Sequence, residues 1–400
     1  MKKKILITGA VVLVAAAVIL GFILKNQVRE NTDSTAVNVD IGQWDTTQNE
    51  SQNYWNPDNH AVAKGMGGYY FIQTTDGISK IAFFDETTQE AVAVCAKSEC
   101  THSDNTCNAY LCDMKQTGSA LYLTDTIYCY NGYLYLIQCE GGMGKLVRIH
   151  TDGSARETIA DLFANTGVSS ISLVFHENDV YAYDDTGHAG QEEEAEEVIK
   201  KISLTDGTEQ TVFSYTGTGA SIDRGRSFGD KLYFVIREYT KNKETKAVSS
   251  DYKGLFEYDF ATGDTRKVID ADVCDYHADT ENQTLFYFVQ GTGLYAYDMT
   301  QGSNTLIYPA EDELIQCKMS YDGKNLYLFN NGAGRATETK TRIQRYCYVL
   351  DTKGNQIAKI LCNGVVYFGD TDYLFEENGD NLEYMKKENL SDKSEWILIN

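Results

Sequence analysis

The sequence has little proline and little positive charge. Only 2 prolines stand against 28 tyrosines and 16 phenylalanines, a composition that points to many pleated strands. The formal charge of −23 creates a field that repels nucleic acid and anionic lipid headgroups, which removes both as partners of the soluble part. No H-E-x-x-H pair occurs. Gly141-Gly142-Met143-Gly144-Lys145 lacks P-loop spacing and reads as a hairpin loop. Asp270, Asp272 and Asp275 lack the glycine and distal glutamate of a calcium loop, so they read as solvated carboxylates. The six histidines are scattered, and no nucleophile pairs with a base.

One long apolar run is present. Ile5 to Leu24 carries no charge and at helical rise reaches about 30 Å, the thickness of a bilayer core. Lys2, Lys3 and Lys4 precede it, which predicts a cytoplasmic tail over 1–4, a single transmembrane helix over 5–24, and everything beyond on the outer side. A cleaved signal peptide ending near Ala15, Ala16 and Ala17 is the alternative, but cleavage there would leave Val18 to Leu24 as an apolar new terminus. A lipid anchor is excluded because the first cysteine is Cys95. Residues 25–63 are polar and read as a stalk, with the folded part over 64–400 and Trp55 as a possible earlier start.

From Gly67 onward a unit recurs. An aromatic strand appears at Tyr70, Tyr135, Tyr181, Tyr233, Tyr287, Tyr327 and Tyr373, spaced mostly by roughly 40 to 50 residues, the period of propeller blades. Further strands end in tight turns such as Asp259 with Thr262-Gly263, Asp298 with Gly302 and Asp351 with Gly354, while Asn131-Gly132 and Asp322-Gly323 mark hairpins. Each unit is expected to be a four-stranded antiparallel blade. A blade cannot bury both faces alone, so the expectation is an all-β, seven-bladed β-propeller, with a β-sandwich pair or a ring of six or eight blades as alternatives.

The Leu-Tyr, Gly-Leu-Tyr-x-Tyr-Asp (Gly293 to Asp298) and Thr-Gly rhythm over residues 67–400 resembles exported propellers of the TolB-like and low-density-lipoprotein-receptor type. The cysteine segment at 95–112 is similar to that of uncharacterised, membrane-anchored propeller-like proteins of Gram-positive anaerobes. No Tyr-Trp-Thr-Asp motif is present, so the ligands of receptor propellers do not transfer.

Insertions concentrate between the second and third strands of the units, at 187–197 with Glu192, Glu193, Glu194, Glu196 and Glu197, at 241–252 with Lys241 and Lys243, and at 331–342 with Arg335 and Lys340. All should emerge on one rim, which becomes the candidate binding surface; solvated, tolerated insertions are the alternative. The sharpest local feature is Cys95, Cys100, His102, Cys107 and Cys112. Disulfides among Cys95, Cys100, Cys107 and Cys112 are the expected chemistry of an exported loop, with three possible pairings. The alternative is a structural zinc held by Cys95, Cys100, His102 and Cys107, although the usual C-x-x-C spacing is absent. Cys129, Cys139, Cys274, Cys317, Cys347 and Cys362 fall in expected strands, as small hydrophobes. The resulting expectation is a membrane-anchored extracytoplasmic propeller that binds a protein or small ligand through its loop rim, without cofactor or catalysis. An extracellular hydrolase or lyase, or a cell-envelope scaffold, is the alternative.

Overall fold

A computed structural model describes residues 52–58, 60–95, 97, 99–116, 121–164, 171–184, 194–241, 248–330, 344–379 and 381–399. Seven antiparallel sheets form a seven-bladed propeller, each from one continuous stretch of chain. The innermost strands are Val62–Gly65, Leu121–Tyr130, Ile171–His176, Ala220–Phe228, Val273–Asp279, Lys318–Tyr321 and Val365–Val366, which begin blades 1 to 7. The seven repeat tyrosines all lie one strand further out, in Gly68–Thr75, Tyr133–Glu140, Asp179–Asp184, Lys231–Lys241, Thr284–Val289, Asn325–Phe329 and Tyr373–Asn378. The aromatic strand of the repeat is therefore the second of its blade. All seven tyrosines are buried, and each such side chain contributes roughly 2 kcal/mol by leaving water.

The turns follow from local chemistry. Asn131 and Gly132 both take positive φ, 49° and 77°, as a two-residue hairpin with native twist requires. Between third and fourth strands an aspartate caps the turn repeatedly. The Oδ1 of Asp85, Asp259, Asp298 and Asp351 accepts main-chain N–H groups from residues just ahead.

Blade 1 departs from the pattern. Its fourth strand is broken in two: Ala91–Ala93 pairs with Ala82 to Phe84, and Tyr110–Asp113 pairs with Ile78 to Lys80. The cysteine insert leaves and re-enters at a single residue, because Val94 N–H donates to Ile81 O at 3.0 Å and Ile81 N–H donates to Ala109 O at 2.9 Å.

The first described residues, from Gln52, already belong to the fold, although they lie inside the segment assigned from sequence to the stalk. Gln52–Tyr54 forms one 3-10 turn, and residues 52–55 with His60 reach each of blades 2 to 7. The Gln52 side-chain amide donates to Phe175 O and accepts from Phe175 N–H in blade 3, at 2.9 and 2.8 Å. Asn53 treats Ser227 of blade 4 in the same way. Tyr54 stacks with His277 of blade 5 and accepts from Ser320 of blade 6. Trp55 bridges to Phe368 of blade 7, and His60 exchanges hydrogen bonds with Ile127 of blade 2. A segment this short can reach all these partners only from the centre. Among the described residues no helix is long and apolar enough to cross a membrane, and Ile5 to Leu24 lies outside them.

Candidate functional site

The axis is polar, and its charges are neutralised from within. Arg226 of blade 4 is 1% exposed; its Nη1 lies 2.6 Å from Asp275 Oδ1 and donates to Tyr276 O, and its Nη2 donates to Met319 O. Met319 N–H closes the set by donating to Asp275 Oδ2 at 2.8 Å. Asp275 is thus a fully buried ion-pair partner joining blades 4, 5 and 6, and not the solvated carboxylate its sequence neighbourhood suggests. Asp270 is solvated, beside Lys267, while Asp272 accepts from Tyr252 N–H. Asp58 of the axial segment pairs with Arg224.

Toward the loop rim, Asp223 Oδ2 lies 2.8 Å from Arg237 Nε. Burial pushes the Asp223 carboxyl up, against the opposing pull of Arg237. A cluster of acids with raised pKa at a channel mouth is what catalysis would require. Asp223 and the neighbouring Glu197 are, however, 1% and 5% exposed, closed off from solvent.

The three insertions do connect second to third strands of blades 3, 4 and 6, so their flanks share one rim. Glu192, Glu193, Lys243, Arg335 and Lys340 lie outside the described residues. Glu194 is exposed at the start of a strand, and Glu197, expected in the loop, is buried in that strand, Glu194–Ser203. Lys241 ends a strand paired with Val248–Asp259, which places Lys241 and residues 248–252 of that expected loop in a long hairpin. On this rim a groove of about 430 Å³ runs between blades 3 and 4, lined by Tyr215, Tyr252, Phe256, Lys253, Lys267 and Asp270. Sequence spacing gave no hint of it, since its aromatics come from neighbouring blades.

The cysteine insert is organised differently from expectation. No disulfide is formed: Cys95, Cys100, Cys107 and Cys112 carry free thiols. Cys95, Cys100, His102 and Cys107 converge four ways, with one donor atom from each within 4.8 Å of every other. Cys112 stands apart, its thiol beside Ser79 and the Tyr122 main chain. His102 Nδ1 lies 3.3 Å from Cys107 Sγ, and His102 holds the left-handed φ of 56°. Burial pushes the Cys95 thiol up, but hydrogen bonds from the main chain of Lys97 and Asn108 and from the Cys100 and Cys107 thiols outweigh it, bringing Cys95 down to about 7. Burial, with Cys100 and Cys95 adding to it, pushes Cys107 up to about 11 although Ala109 and Tyr110 bond to its sulfur. The remaining cysteines behave as small apolar groups: Cys274, Cys317, Cys347 and Cys362 are buried, while Cys129 and Cys139 are partly so. Cys317 sits just ahead of its expected strand.

A second convergence, Glu86, Asp370 and Asp372, brings three carboxylates together. Lys64 Nζ already occupies it, 2.5 Å from Glu86 and 3.1 Å from Asp370.

No family model and no curated protein matches the sequence. Among solved structures the chain is similar to a puromycin hydrolase, with 9% identity and a TM-score of 0.50 over 86% of this chain and 54% of that one, so it spans about half that enzyme's length. It is also similar to TolB from Acinetobacter baumannii, with 13% identity and a TM-score of 0.40 over 80% of this chain and 77% of that one. BamB from Moraxella catarrhalis gives 12% identity and a TM-score of 0.39 over 81% and 94%. The likeness at these identities is one of fold alone, the β-propeller.

Proposed function

We propose that the protein is a membrane-anchored, extracytoplasmic propeller that binds a protein or small ligand on its loop rim and performs no chemistry there. The observation that carries this reading is the filled axis. Gln52 to His60 closes the ring's centre, and the buried carboxylates Asp58, Asp223 and Asp275 are each spent on an arginine. The loop rim is the surface that supports binding best, because the groove of Tyr215, Tyr252 and Phe256 offers aromatic surface between blades there. The anchor rests on the uncharged run Ile5 to Leu24 behind three lysines.

The test uses the full chain in intact cells. A photoreactive phenylalanine replaces Tyr215 in the groove, or Glu194 beside it, with Thr300 on the opposite rim as control. Mass spectrometry of the photolysed protein should find an adduct, large or small, at the first two positions only. Equal labelling of both rims, or none at Tyr215 and Glu194, overturns the assignment. Protease added outside the same cells should remove the propeller, and full protection would reverse the topology.

A further inference from the structure

The insert of blade 1 holds chemistry that rim binding does not use. We propose that Cys95, Cys100, His102 and Cys107 form a closed, structural site for one zinc ion. In a tetrahedral zinc site with thiolate and imidazole donors, neighbouring donor atoms stand about 3.5 to 3.8 Å apart. The four donors here lie within 4.8 Å of one another, so binding needs only a small contraction. Four soft or borderline ligands of this kind select zinc over calcium or magnesium, which take oxygen.

Three further features point the same way. Main-chain groups of Lys97 and Asn108 hydrogen-bond to the Cys95 sulfur, and those of Ala109 and Tyr110 to the Cys107 sulfur. Such main-chain donors fix where the two sulfurs sit, and a disulfide sulfur has much less use for them. His102 is a non-glycine residue held at positive φ, a backbone cost that returns its ring over the loop toward Cys107. Finally, both ends of the insert are pinned at Ile81, so the loop cannot simply drift apart.

All four positions come from the protein, which leaves no open coordination site and makes the ion a staple. What it staples is the seam between blades 1 and 2. Cys107 belongs to the same buried cluster as Leu134, Leu136 and Val147 of blade 2, and Arg156 of blade 2 donates to Asn108 O. Gly153 lies so close that an added Cβ would stand 2.5 Å from Val94 O.

Full-length protein, purified without chelator, should contain about one zinc per chain by elemental analysis. Exchange with cobalt(II) alone should give the visible bands of tetrahedral cobalt and a near-ultraviolet sulfur-to-cobalt charge-transfer band. His102→Ala, at a partly exposed position, should lower zinc affinity at least roughly tenfold and shift the cobalt spectrum, whereas Cys112→Ser should change neither. Should His102→Ala fail to fold, Cys100→Ser gives the same reading, and the wild-type metal content and spectrum remain decisive. Absence of metal, iron in place of zinc, an octahedral cobalt spectrum, or a disulfide among Cys95, Cys100 and Cys107 after thiol trapping would each overturn the site.

Discussion

The Tyr69 hydroxyl donates to Asp370 Oδ2 at 2.8 Å across 301 positions of sequence, joining blade 1 to blade 7. Among the described residues no strand is shared between the two blades, and side chains join them. Lys64 adds an ion pair to Asp370 at 3.1 Å, and Trp55, Tyr69, Phe84, Tyr373, Phe375 and Tyr384 pack as one aromatic cluster behind it. Tyr69→Phe keeps the ring but strips Asp370 of a buried donor. It should cost about 1 to 3 kcal/mol in urea unfolding with an unchanged m value. A loss below about 0.5 kcal/mol would mean that the aromatic packing alone closes the ring.

Arg226 should be the most sensitive position of the axis. Removing it leaves Asp275 charged and buried, together with the orphaned carbonyls of Tyr276 and Met319. Arg226→Met is expected to destabilise by about 3 to 5 kcal/mol, and Arg226→Met with Asp275→Leu to recover part of that. Chemical denaturation of the three proteins provides the check; a double variant worse than the single would show that Asp275 holds its position without the arginine.

The axial segment should be sensitive to acid through His60. Burial dominates over its hydrogen bonds and lowers its pKa from 6.5 to about 4. Between those values the unfolded chain takes up a proton that the folded chain refuses, so this contribution is complete above pH 6.5 and is lost as pH falls toward 4. His60→Phe should flatten stability against pH in that window, at the expense of the bond to Ile127. An unchanged slope in urea titrations at pH 7 and pH 5 would place the acid response elsewhere.

Glu376 should act with the opposite sign. Burial raises its pKa from 4.5 to about 7, and the nearby Glu383 adds to this, although Asn363 and Gly364 N–H groups oppose it. The folded state then binds more proton than the unfolded state between pH 4.5 and 7, so stability falls as pH rises through that range. Glu376→Gln keeps an acceptor for the two N–H groups and should gain on the order of 2 kcal/mol at pH 8, with little change at pH 4. Thermal melts at the two pH values separate the outcomes, and an equal effect at both would remove titration as the cause.

The blades were legible because local chemistry repeats: a tyrosine at strand spacing in all seven and an aspartate-capped turn in blades 1 to 6, as at Asp259 and Asp298. What escaped reading depends on contacts between distant segments. Gln52 and Asn53 look like stalk residues until their amides are seen to mimic main-chain pairing with Phe175 and Ser227. Asp275 sits in an acidic stretch whose arginine partner, Arg226, is 49 residues away. Glu197 follows an acidic run, yet strand alternation turns it inward while Glu194 and Glu196 stay exposed. At the cysteines, spacing alone left disulfide and metal open, because three sulfurs and an imidazole converge through a loop pinned at both ends and not through any pair interval.

Because every blade is a single uninterrupted stretch, vectorial synthesis can complete each sheet as soon as its own residues emerge. Only the last docking step, blade 7 onto blade 1, must wait for the C-terminal residues. Until then the nascent arc would expose two sticky flanks, and the early-made Gln52 to His60 segment gives the successive sheets a common spindle on which to gather.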